Sequence, residues 1–127
     1  MKRILLLFML IILLLNVQTV LGESKYKAEW KNVIHKRKQK LEEKPNDYII
    51  KYELAVAYSN LGEIKKATKL LKDLKKVKNR DQKLEELIQN YKGDLQNSEY
   101  DIREINFLAF AHYTADNYKQ ANKLFKE

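Results

Sequence analysis

One pattern of alanines and larger apolar residues occurs twice in this chain. The first copy is Leu54-Ala55-x-Ala57-Tyr58, followed by Ala67 and Leu71, and the second is Leu108-Ala109-x-Ala111-His112, followed by Ala121 and Phe125. The spacing of the alanines is identical in the two copies. A pattern that returns at a fixed spacing is typical of a repeated supersecondary unit. The chain is therefore expected to fold as repeated units with a shared core.

Helical periodicity continues through the rest of the chain after residue 25. We predict helices at about 25–43, 48–61, 63–78, 82–92, 99–113 and 118–127. Asp47, Asp81 and a Ser98–Asp101 capping box are the expected helix starts, and Gly62 and Gly93 the expected stops. Three glycines and one proline do not supply the turns of a many-stranded sheet. The predicted fold class is all-α, with about five or six helices arranged as antiparallel hairpins.

The repeated residues resemble the signature of the tetratricopeptide repeat family. The first copy matches at Leu54, Ala55, Tyr58, Gly62, Ile64, Ala67 and Leu71, and the second at Leu108, Ala109, Tyr118, Ala121 and Phe125. The second copy departs from the family pattern, because His112 replaces an aromatic residue and Asp116 replaces the turn glycine. The resemblance implies an α-solenoid in which each unit is a hairpin of two helices with a small residue at their crossing.

The repeat divides the chain into segments. We expect a first repeat at 46–79, an inserted helix and linker at 80–97, and an incomplete second repeat at 98–127, with a capping helix or half-repeat at 23–45. The insertion follows from the spacing of Ala67 and Ala121, which are 54 residues apart, 20 more than one 34-residue unit. Because Leu124-Phe125 is apolar and no polar capping helix follows, we expect either a longer array or a homodimer through this uncapped end.

The N-terminus has the layout of a secretory signal peptide. Lys2 and Arg3 precede twelve apolar residues at 4–15, and small side chains lie near Gly22, after which cleavage is expected. The protein would then be exported to the cell envelope, the periplasm or the medium. The alternative is an uncleaved anchor formed by residues 4–21, whose length is near the lower limit for spanning a bilayer.

The sequence contains no recognisable catalytic constellation. Cysteine is absent, glycine is too scarce for a phosphate-binding loop, and only two histidines occur. His35 lies among Lys36, Arg37 and Lys38 and is expected on a solvated face, whereas His112 is expected to pack in the core. We therefore predict no enzyme activity, no metal site and no cofactor.

A partner protein or peptide is the expected ligand. In the tetratricopeptide family the first helix of each unit lines a concave groove, so the resemblance implies a groove formed by Ile49, Tyr52, Glu53, Val56, Asn60, Arg103, Asn106, Phe107, Phe110 and Tyr113. Lysine is missing from these faces, which argues against the family's grip on a C-terminal carboxylate. The prediction is a non-catalytic scaffold that holds a peptide or helix in this groove.

The basic charge suggests further partners. The formal net charge is +8, and Lys65, Lys69, Lys72 and Lys76 share one helix face. An anionic membrane surface is a second expected contact, and the alternative function is a basic, membrane-proximal structural spacer without a peptide ligand. Nucleic acid binding is disfavoured, because aromatic residues are not interleaved with this basic face.

Overall fold

A computed structural model describes residues 25–97 and 101–126. These residues form six helices and no strand. Helix α1 covers 25–43, and the other five are α2 (Tyr48–Asn60), α3 (Ile64–Lys75), α4 (Arg80–Asn97), α5 (Ile102–Thr114) and α6 (Tyr118–Leu124). The predicted all-α class is confirmed. The expected signal peptide at 1–22 and Ser98 of the expected capping box lie outside the described residues.

Two of the helix pairs are hairpins of the same construction. Helix α2 packs against α3, and α5 packs against α6, with connections of only three residues. Aspartate is the N-cap of the first helix in each hairpin: the carboxylate of Asp47 accepts from the backbone N–H of Ile50 at 3.0 Å, and that of Asp101 from Arg103 N–H at 2.8 Å. Asp47 and Asp101 are 54 residues apart, so the repeat extends to the caps.

The first helix of each hairpin also ends in the same way. Gly62 has φ +74° and Asp116 has φ +60°, so both residues take the left-handed conformation just past the helix end. The N–H of Glu63 donates to the carbonyl of Tyr58 at 2.9 Å, and that of Asn117 to the carbonyl of His112 at 2.8 Å. This bond closes a Schellman motif in each hairpin. Asp116 therefore makes the turn that Gly62 makes, although its side chain disfavours that backbone conformation.

The fourth helix differs from its prediction. It begins at Arg80 rather than after Asp81, and it continues four residues beyond Gly93 to Asn97. The prediction that Gly93 ends this helix was wrong: only Gly62 among the described glycines has a positive φ. Glycine costs about 1 kcal/mol in a helix interior. The helix continues through it because Tyr91 is buried and Leu95 packs against the core on either side.

The core lies where α1 and α4 meet α2 and α5. Its largest fully buried side chains are Trp30 of α1, Tyr52 and Val56 of α2, and Leu87 of α4. The repeat alanines Ala55, Ala67, Ala109 and Ala121 are all at most 2% exposed, as expected at close helix crossings. In contrast, Tyr118 and Phe125 are 53% and 47% exposed, and each contacts α5 through one edge-on ring pair, with Tyr113 and Phe110 respectively.

Two glycines provide opposite tests of this backbone. Gly62→Ala should lower the free energy of unfolding by about 1 kcal/mol, because a side chain is strained at positive φ. Gly93→Ala should raise it by about 0.5–1 kcal/mol, because Gly93 is helical and an added Cβ would meet no atom within 4 Å. Urea denaturation followed by circular dichroism measures both. A gain in stability from Gly62→Ala would contradict the Schellman turn.

Candidate functional site

The face predicted to be an open groove is mostly closed. Of its ten predicted residues, Tyr52, Glu53, Val56 and Phe107 are buried, with exposed fractions between 0 and 7%. The Tyr52 hydroxyl donates to the backbone carbonyl of Phe107 at 2.7 Å and so joins α2 to α5. Burial raises the pKa of Tyr52 well above its usual value, which keeps the hydroxyl protonated as a donor. The expectation that these four residues line an open groove is therefore not met.

Helices α1 and α4 cover this face. The ring of Trp30 contacts Phe107 edge-on at 5.7 Å between centroids, and the ring of Tyr91 stacks on Phe107 at 5.5 Å. Aromatic contacts of this kind contribute about 0.5–1.5 kcal/mol beyond the area they bury. Trp30 and Tyr91 are themselves 1% and 7% exposed. The covering helices are thus part of the core, and the inserted helix occupies the face that the family resemblance left open.

A buried carboxylate ties the same helices together. Glu53 on α2 accepts from the Tyr91 hydroxyl of α4 at 2.7 Å and forms an ion pair with Arg37 of α1. Burial is the main reason that the pKa of Tyr91 is raised, and the charge of Glu53 adds to it. A buried charge is tolerated only where partners replace its hydration. Glu53 therefore has a structural role in joining α1, α2 and α4.

Two more of the predicted residues bridge helices from a half-buried position. The side-chain amide of Asn60 donates to Asn106 Oδ1 at 3.1 Å, and Asn60 Oδ1 accepts from the Tyr26 hydroxyl at 2.7 Å. These bonds join α1, α2 and α5 at one edge of the covered face. Asn60 and Asn106 are consequently engaged inside the protein.

The remaining four predicted residues do not line one common cleft. Ile49 is 41% exposed and lies in a cleft between α1 and α2. Arg103 borders a basic cleft with α1, but its guanidinium is paired with Asp101, with an Nη2–Oδ2 distance of 2.7 Å. This pairing lowers the pKa of Asp101, chiefly through the hydrogen bond from Arg103. Phe110 and Tyr113 remain, and they lie together between the two hairpins.

The cleft between the hairpins carries two exposed tyrosines, Tyr113 and Tyr118. Its volume is about 470 Å³, within the range of about 300–1,000 Å³ usual for ligand sites. Helix α3 forms one wall, and α5 with the start of α6 forms the other. We call it the hairpin cleft; its lining residues are Tyr48, Thr68, Leu71, Lys72, Leu74, Lys75, Arg80, Phe110, Tyr113, Thr114, Asp116 and Tyr118.

Aromatic side chains and cations occupy opposite sides of this cleft. The rings of Tyr113 and Tyr118 meet edge-on at 5.4 Å, and both residues are more than half exposed. The hydroxyl of Tyr118 donates to Asp116 at 2.7 Å, which orients its ring. Across the cleft are Lys72, Lys75 and Arg80. The hairpin cleft thus offers aromatic contact area beside an excess of positive charge.

Sequence analysis identified only part of this cleft. Phe110 and Tyr113 were predicted as binding residues, but Lys72, Lys75 and Arg80 were not assigned to the same site. Lys72 and Lys75 lie in the last turn of α3, near the end of the first hairpin. The second hairpin contacts the side of the first, and this contact was not predicted. Only the packing of α2 against α5 brings these cations opposite Tyr113.

Residues 25–97 and 101–126 contain no group of three or more histidine, cysteine, aspartate or glutamate residues able to hold a metal. No helix within these ranges has both the length and the apolar character needed to cross a membrane. His112 is 6% exposed and lies in the core beside α4.

None of the protein-family models, curated proteins or solved structures compared with the chain matches it.

Removing one partner of the buried carboxylate should destabilise the fold. Tyr91→Phe deletes a single hydroxyl and leaves one oxygen of Glu53 without its donor in a buried site. The free energy of unfolding should fall by about 1.5–3 kcal/mol, the usual cost of losing a hydrogen bond to a buried charge. Tyr113→Phe is the matched control, because Tyr113 is 56% exposed, and it should change stability by less than about 0.5 kcal/mol. Equal effects in urea denaturation would contradict the structural role of Glu53.

His112 should make stability depend on pH. Burial, and then the charge of Lys92, lower the pKa of its imidazole, while Glu85 acts in the opposite direction. The unfolded state therefore binds the proton more readily. The stabilising contribution is complete above the unfolded pKa of about 6.5 and is lost as the pH falls below that value.

Melting temperatures between pH 7.5 and 5 test this effect. His112→Gln should flatten the profile below about pH 6.5, because glutamine stays neutral. His35→Gln, on the exposed side of α1, controls for the loss of a histidine. A profile that His112→Gln leaves unchanged would assign the pH dependence to other groups.

Proposed function

We propose that this chain is a non-catalytic protein-interaction module of tetratricopeptide-like construction, and that it binds a peptide segment in the hairpin cleft. The observation that carries the proposal is the exposed pair Tyr113 and Tyr118, which faces Lys72, Lys75 and Arg80 across a cleft of about 470 Å³. The proposed function is the one expected from the sequence, but the proposed binding surface is the hairpin cleft and not the buried face of Tyr52 and Phe107.

The aromatic residues support a role in binding. Tyr113 and Tyr118 expose 56% and 53% of their surface, so more than half of each residue is accessible to a ligand. Aromatic side chains give large contact areas at low cost in side-chain entropy and are enriched among residues that dominate interface energies. Phe110 and Leu71, both half-buried, form an apolar base behind them. An apolar or aromatic side chain of the ligand would fit between these residues.

The charges indicate which peptides fit best. Lys72 and Lys75 form no ion pair with any described residue, and Arg80 pairs with the exposed Asp81. Among the described residues that line the cleft Asp116 is the only acid, and it already accepts from Tyr118. Electrostatic complementarity favours acidic side chains beside the apolar anchor. The proposed ligand is therefore a short acidic segment with one large apolar or aromatic residue.

Peptide selection tests this proposal directly. A displayed library of random peptides is selected on the whole chain, and the dissociation constants of enriched peptides are measured by fluorescence anisotropy. Enriched peptides should combine acidic residues with an aromatic or aliphatic anchor. Tyr113→Ala should weaken their binding at least tenfold, which is about 1.4 kcal/mol, and Lys72→Gln with Lys75→Gln should weaken it and reduce its salt dependence.

The control variant is Ile49→Ala. Ile49 is comparably exposed and belongs to the originally predicted groove, but it lies in the cleft between α1 and α2. Peptide affinity should be unchanged in this variant, and circular dichroism should show unchanged helicity in all variants. If selected peptides bind Tyr113→Ala as tightly as the original chain, the hairpin cleft is not the binding site.

A further inference from the structure

The second helix of each hairpin has the same stripe of lysines. On α3 the stripe is Lys65, Lys69 and Lys72, and 54 residues later Lys119, Lys123 and Lys126 occupy the equivalent positions on and just after α6. All six lysines are exposed. Each stripe follows an exposed apolar or aromatic residue, Ile64 at 59% and Tyr118 at 53%. The repeat thus includes a surface feature that core packing does not explain.

Each stripe lies on the side of its helix that faces away from the hairpin core. On α3 the inward residues are Ala67 and Leu74, at 2% and 3% exposure, and on α6 the inward residue is Ala121 at 1%. Residues spaced by four and then three positions share one face of a helix. The lysines therefore form two rows on the outside of the hairpins, and both helices border the hairpin cleft.

The stripes are not neutralised from within. No ion pair between these six lysines and an acidic side chain occurs in the described part of the chain, whereas the neighbouring Lys66 and Lys76 pair with Glu63 and Asp73. Like charges at these spacings repel and weaken a helix. An external anionic surface would relieve this repulsion.

We propose that the lysine stripes of α3 and α6 form a docking surface for an anionic lipid bilayer. The exposed Ile64 and Tyr118 favour a bilayer over other polyanions, because apolar and tyrosine side chains enter the headgroup region next to basic residues. A nucleic acid backbone offers Ile64 no apolar contact. This surface shares Lys72 and Tyr118 with the rim of the hairpin cleft, but its other lysines and Ile64 do not line the cleft, and the inference goes beyond the proposed peptide binding.

The test is sedimentation of the full chain with lipid vesicles. Vesicles of equal parts phosphatidylglycerol and phosphatidylcholine are compared with vesicles of phosphatidylcholine alone, and the ratio of the two partition coefficients isolates the charge-dependent binding. The stripe variant changes Lys65, Lys69, Lys119 and Lys123 to glutamine. The control variant changes Lys36, Lys40, Lys83 and Lys92 to glutamine. These four lysines are also exposed and lie on α1 and α4, so the control removes the same net charge.

The stripe variant should lose at least about tenfold in this ratio, because each lysine at an anionic surface contributes roughly fivefold. The control variant should stay within about threefold of the original chain, and the binding should weaken with salt as screening increases. Equal losses in both variants would show a general charge effect and overturn the docking surface, as would no preference of the original chain for anionic vesicles. A stripe variant that loses affinity for RNA but keeps its vesicle binding would also overturn it, in favour of a nucleic acid partner.

Discussion

A carboxylate inside the core determines how the helices of this protein are arranged. Glu53 is 7% exposed, and its charge is compensated by Arg37 from α1 and by the Tyr91 hydroxyl from α4. Such a pair contributes little net stability, because desolvation offsets most of the attraction, but the loss of either partner leaves a buried charge uncompensated. The network therefore sets the positions of α1 and α4 on α2 more than it adds to the free energy of unfolding. Apolar burial of Trp30, Leu87 and Phe107 supplies the stabilisation.

The position of α1 and α4 decides which surface is open for binding. Phe107 is enclosed between Trp30 and Tyr91, so the face expected to hold a peptide is filled by the protein's own aromatic side chains. The contact of α2 with α5 then opens the hairpin cleft on another side, where Tyr113 and Tyr118 remain exposed. An insertion between two repeats thus changes both the core and the available surface.

The two hairpins share some features of the repeat and differ in others. Asp47 and Asp101 cap the first helices, and the side chains of Asn60 and Thr114 each donate to the carbonyl four residues earlier. The interior alanines and the outer lysines are repeated as well. The repeat is lost where α4 contacts it: Glu53 of α2 corresponds to Phe107 of α5, and Glu53 accepts from the Tyr91 hydroxyl whereas Phe107 stacks on the Tyr91 ring.

Local sequence determined the helices and most of their ends. Helical periodicity, the Asp47 cap and Gly62 act within a few residues, so the all-α class, the hairpin turns and the first helix were predictable from the sequence. The predicted Ser98–Asp101 capping box was wrong, because Asp101 is itself the N-cap of α5. The prediction that α4 ends at Gly93 was wrong. The cost of a helical glycine, about 1 kcal/mol, is smaller than the free energy gained by burying the next part of α4 on the core. The repeat resemblance predicted that Phe110 and Tyr113 bind a partner; both line the hairpin cleft, and binding there stays a prediction.

Only the tertiary structure decided the path of α4 and the burial of Tyr52, Glu53 and Phe107. The tertiary structure also places Lys72 and Lys75 of the first hairpin opposite Tyr113 of the second. Periodicity shows that one side of a helix is apolar, but it does not show which other helix covers that side. That choice depends on contacts between residues 38 to 55 positions apart, such as Tyr91 with Glu53 and Tyr52 with Phe107, and no local pattern contains them.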